Sequence, residues 1–149
     1  MWGRHKDVAN ATMIDFDDVR LLRPVNDGPA FAPGTARPAP GQAGQPPDSR
    51  FTATLFPVAD WDVDAVVALV EAAPTGGSRV AVLRTEPAVN TFPALPVRDD
   101  EFVVVRIFRH DSAAELAAQD PAPWTAVEDL LVAPVTELVL RPTARSALR

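Results

Sequence analysis

The sequence predicts an α+β fold, and three observations lead there. The run Glu101–Arg109 is β-branched and aromatic, free of Gly and Pro, and as long as an ordinary strand. Shorter runs rich in β-branched or large apolar residues stand at Phe51–Val58, which carries Pro57 near its end, and at Arg79–Leu83 and Thr136–Leu140. Between the first two of these, Val63, Val66, Val67 and Val70 recur at helical spacing.

Each element has its own justification. In Glu101–Arg109, alternation sends Val103, Val105 and Ile107 one way and Phe102, Val104, Arg106 and Phe108 the other. Both sets are mostly apolar, so this strand should be central and covered on both sides. The valine helix starts behind Asp60 or Asp62 and ends at Pro74 and Gly76-Gly77. Valine is a mediocre helix former, so burial must stabilise that helix, at roughly 1.5 to 3 kcal/mol per covered side chain. A second helix should begin at the capping box Ser112–Glu115, restart at Asp120-Pro121, and present Trp124, Val127, Leu130 and Leu131 before Pro134 ends it.

The order from Phe51 to Leu140 is therefore β-α-β-β-α-β, the ferredoxin-like plan. Two helices cover one face of such a sheet. The other is expected to show Thr52, Thr54, Phe56, Ala81, Leu83, Phe102, Val104, Arg106, Phe108 and Val139, too apolar a set for water, so it should meet a second sheet.

Three regions are expected: residues 1–24, with a helix from Trp2 to Ala11 and a strand at Val19–Leu22; a linker at 25–50; and the compact domain at 51–149. The linker is crowded with Pro, Gly, Ala and Gln, and Phe31 is its one bulky side chain. A helix and a strand cannot bury a core alone, so the first region must dock on something.

A net charge of −6 argues against a nucleic-acid partner. With no cysteine, thiol nucleophiles and zinc-thiolate sites are excluded, and two histidines, His5 and His110, make a histidine metal site improbable. No stretch is long and apolar enough to span a bilayer, and the N-terminus lacks the apolar segment of a signal peptide. A soluble cytoplasmic protein without cofactor or metal is the expectation.

Arg20-Leu21-Leu22-Arg23-Pro24 is echoed by Leu138-Val139-Leu140-Arg141-Pro142, each after a Trp-containing helical stretch, which suggests tandem repeats with the first one incomplete. Three segments carry a family resemblance: Trp2 to Asp15 with Val19 to Pro24; Asn90 to Arg98 with the central strand; and Leu138 to Leu148, including Pro142-Thr-Ala-Arg145-Ser146. Together they resemble bacterial tandem NIPSNAP-type proteins, entered part-way through the first repeat. The resemblance implies the dimeric α+β barrel superfamily, in which two sheets close face to face. A homodimer is then expected, completing the truncated repeat, with room for a small hydrophobic ligand.

Arg106, Phe108 and Thr54 on the sheet, with His5 and Asn10 on the first helix, are the candidate ligand-binding residues. Arg106, flanked by Val104 and Phe108, needs an anion, a carboxylate or water; an ion pair with Glu137 or a subunit partner is expected ahead of a ligand. His5 suits a cavity base or ligand, or a helix histidine bonded locally, and the second is the expectation. Asn10 suits a helix end better than a catalytic amide, and His110 is expected to be a solvated loop histidine. The functional expectation is a NIPSNAP-like, non-catalytic binding or assembly protein that self-associates through its sheet face. The alternative is a cofactor-independent barrel enzyme, of monooxygenase or isomerase type, acting on a small hydrophobic acid.

Overall fold

The computed structural model describes residues 19–26, 31, 37–39, 41–42, 44–73, 76–91, 96–119 and 124–147. They form an α+β arrangement built on one sheet: β1 (Leu22–Pro24), β2 (Arg50–Val58), β3 (Ser78–Thr85), β4 (Phe102–His110) and β5 (Thr136–Leu140). The order across the sheet is β1-β3-β4-β2-β5, and every neighbouring pair is antiparallel. Helix α1 (Val63–Ala72) joins β2 to β3, and the short α2 (Ala113–Ala117) follows β4. The helix expected over Trp2–Ala11, with His5 and Asn10, lies outside the described residues.

The four main strands form where their patterns place them, within two residues at each end. The first differs: its ladder residues are Leu22–Pro24, while Val19 makes an isolated parallel bridge to Val97. This segment, expected in a partial first repeat, is an edge strand of the same sheet, paired with β3.

Strand β4 is buried on both sides, as its composition demands. On one, Val63, Val66 and Val70 of α1 pack on Phe56, Val58, Val82 and Val104. On the other, Phe51, Ala53, Ala81, Val103 and Val105 are buried as well. This corrects the expected bare face. Most of the residues assigned to it, Phe56 and Val104 among them, lie beneath α1, and the opposite face is shielded within the chain, so neither needs a second sheet. Ala81 and Leu83, expected on the same face as Phe56 and Val104, lie on the opposite one with Ile107 and Val105. A bulge between Arg79 and Ala81 shifts the alternation by one residue, so Val82 and Arg84 share the helix side with Arg106 and Val104. Arg84 there meets Asp64 of α1, and Arg79 meets Glu71 at 3.4 Å, tying β3 to the helix at both of its ends.

The helix starts are only partly as expected. Asp62 precedes α1 without a side-chain capping bond, and Asp60–Asp62 form a single 3-10 turn whose acids suit the positive helix end. Before α2, Ser112 Oγ accepts from the Glu115 N–H at 3.0 Å, but the Glu115 carboxylate accepts from the Asp111 N–H instead of closing the box on Ser112. Among the described residues the second helix does not resume as an α-helix but continues as 3-10 turns at Trp124–Ala126 and Glu128–Leu130. β-branched Thr125 and Val127 lower the helix propensity of the segment. Its apolar residues still reach the core: Val127 is buried, and Trp124, Leu130 and Leu131 pack against it.

Glu101 anchors the first segment, accepting from Arg20 at 2.8 Å and from Arg98 at 2.6 Å. Bonds from Arg98 first and Arg20 second hold its carboxyl below the ordinary value of 4.5. A depressed acid stabilises the fold fully above its unfolded pKa and loses that contribution as pH falls through the folded one. Amide exchange at Arg98, whose N–H bonds Val19 O, should therefore quicken relative to the core as pH drops below 4.5. Val66 has no exposed surface, and Val66→Asp should cost about 4 kcal/mol or more and abolish cooperative unfolding in urea.

Candidate functional site

The polar residues of the sheet gather on the side that carries α1, beyond the end of that helix. Register builds them into rows. Thr54 stands between Arg106 of β4 and Glu137 of β5, and Thr52 between Phe108 and Val139. His110 closes the strand, opposite Arg50. Three candidate residues, Thr54, Arg106 and Phe108, are thus neighbours.

Arg106 is 3% exposed. Its guanidinium carbon lies 4.2 Å from the Phe108 ring centre and 5.1 Å from that of Trp124, and Trp124 in turn sets its ring edge-on to Phe56 at 4.8 Å. Nη2 donates to the Ala73 carbonyl at 2.9 Å, and Ala73 is the C-cap of α1. A cation there meets the negative helix end, and planar guanidinium slots between rings as an ammonium does not. Burial, with the nearby Arg79 charge second, pushes its pKa down to about 10, so it stays charged at neutral pH. Glu137 accepts a long bond from Thr54 Oγ1 at 3.5 Å.

His110 is not the solvated loop residue expected. It is the last residue of β4 and 2% exposed, because the strand runs one residue further than its apolar pattern. Nε2 lies 3.1 Å from Thr52 Oγ1, and Nδ1 lies 2.9 Å from Gln119 Nε2. Both ring nitrogens are held by protein groups, so the imidazole is fixed in place rather than presented to a reactant. The glycine pair lies against this cluster. At Gly77, with φ +84°, a Cβ would sit 2.6 Å from Arg109 O and 2.9 Å from His110 Nδ1, and at Gly76 one would sit 2.5 Å from Gln119 Nε2. Sequence reasoning reads these glycines as a turn; their tight fit over His110 requires knowing that the two chain segments meet.

Neither a family model, nor a curated protein, nor a solved structure matches this chain. Among the described residues no group of three or more His, Cys, Asp or Glu side chains is placed to hold a metal ion, and no helix is long and apolar enough to cross a membrane. An open groove of about 520 Å³ runs beside the cluster, lined by Trp124, Glu128, Leu131, Val132, Pro134 and Val135. Sequence reasoning missed Trp124 and Gln119 as partners of the cluster. The apolar spacing marks Trp124 as inward-facing, whereas nothing in the sequence distinguishes Gln119.

The arrangement assigns Arg106 to the architecture of the helix end. Arg106→Ala should cost about 2 to 4 kcal/mol in urea denaturation through the lost charged hydrogen bond and ring stacking. Arg106→Lys should lose less, since the charge survives at the helix terminus while the planar contact does not.

Proposed function

We propose that this chain is a NIPSNAP-like binding and assembly module with a ferredoxin-like core, acting without catalysis and self-associating through its sheet. Supporting the core assignment, β3-β4-β2-β5 is the order a β-α-β-β-α-β chain takes when each crossover leaves room for one antiparallel strand, and α1 and α2 stand in the two crossovers. Supporting a non-catalytic role, the polar side chains of the cluster bond one another and the backbone: Arg106 to Ala73, His110 to Thr52 and Gln119, Thr54 to Glu137.

The observation that carries assembly is β5. All five of its residues are exposed, and Leu138, Val139 and Leu140 keep 46%, 58% and 47% of their surface in solvent. Three adjacent exposed apolar side chains on a sheet edge are a surface that natural proteins blunt or cover. Sedimentation equilibrium from about 1 to about 100 µM, the range of weak specific interfaces, should show the mass rising from 16.0 kDa toward twice that value. A constant 16.0 kDa overturns self-association.

A further inference from the structure

We infer that the covering partner is a second copy of this chain, whose β5 pairs antiparallel with the first about a twofold axis through Val139. This rests on the assembly reading and specifies its contact. Among the described residues β5 has β2 as its one neighbour in the sheet, which leaves the other side of its backbone for a further strand.

Charge selects the register. With Val139 on the axis, Leu138 stands opposite the partner's Leu140, and Glu137 opposite the partner's Arg141, each contact occurring twice by symmetry. Alternation puts Glu137, Val139 and Arg141 on one face and Leu138 and Leu140 on the other, so ion pairs flank an apolar centre while leucines pair behind it. Moving the axis to Leu138 sets Glu137 against Val139, and moving it to Leu140 sets Arg141 against Val139, so either leaves the charges without opposites. Both charges are available: Arg141 is exposed and makes no ion pair among the described residues, and Glu137 is exposed with a long bond from Thr54 at 3.5 Å. The opposite edge offers no such surface. β1 has three residues, one of them Pro24, and its Arg23 already meets Glu86 at 3.7 Å. Pairing of five-residue strands is at the small end of specific interfaces, which corresponds to a reversible dimer.

The chain has no cysteine, so Val139→Cys introduces a single thiol in the full chain. On the axis, that residue meets its symmetry mate at a Cβ separation of about 4.5 to 5.5 Å, near disulfide reach. Mild oxidation should give a covalent dimer. Thr136→Cys, set about 20 Å from its mate by the strand rise, should give none. Without oxidant, Glu137→Lys and Arg141→Glu should each weaken association about tenfold, and the two together should restore it. A wild-type dimer that ignores the charge reversals, or that cross-links at Thr136→Cys as fast as at Val139→Cys, overturns this contact and leaves assembly through another surface. Wild-type chain that stays at 16.0 kDa, with no cross-link at either position, overturns both.

Discussion

Strand β4 lies at the middle of the sheet with both faces buried, and yet it carries Arg106 where only apolar side chains are easily hidden. A guanidinium removed from water needs compensation. It finds a helix-end carbonyl at Ala73 and two aromatic rings, and each of these partners is thereby fixed. The C-terminus of α1 must end above β4, and Trp124 must come in from the region after α2. One buried charge thus couples the central strand to both of the segments packed on its helix side.

The same side of the sheet divides into two halves. Under α1 it is dry and filled by valine and phenylalanine, Val66 and Phe56 being fully enclosed. Beyond the helix it turns polar, with Thr52, Thr54 and His110 buried and bonded. Buried polar groups of this kind are tolerable when each finds a partner, and they then fix the relative position of the chains that supply the bonds. Gln119, from the segment after α2, and the Gly76-Gly77 turn, from the segment before β3, meet at His110 for this reason.

Most of the strand positions were legible because β-branched runs bounded by Pro and Gly leave little choice. The faces were less so. A bulge inside Arg79–Ala81 leaves no mark in composition, and one inserted residue exchanges Ala81 and Leu83 for Val82 and Arg84 beneath the helix. The second helix gives way to 3-10 turns, in which the inward placement of Trp124 and Val127 survives because such turns hold the same faces over short spans. At the cluster, Arg106 with Phe108 and Thr54 could be read from strand register alone. The partners of His110 could not, since Thr52 lies 58 residues away and its contact depends on how the strands are ordered.

The two margins of the sheet are unequal. One ends in Leu22-Arg23-Pro24, where a proline lacks the amide a further neighbour would require; the other ends in Leu138-Val139-Leu140 with every amide intact. A molecule with a single open margin has a valence of one. In the proposed dimer, strand addition at that margin would consume it, so growth would terminate at a closed pair, and the filaments available to a sheet that is sticky on both sides would be denied by geometry rather than by weak affinity.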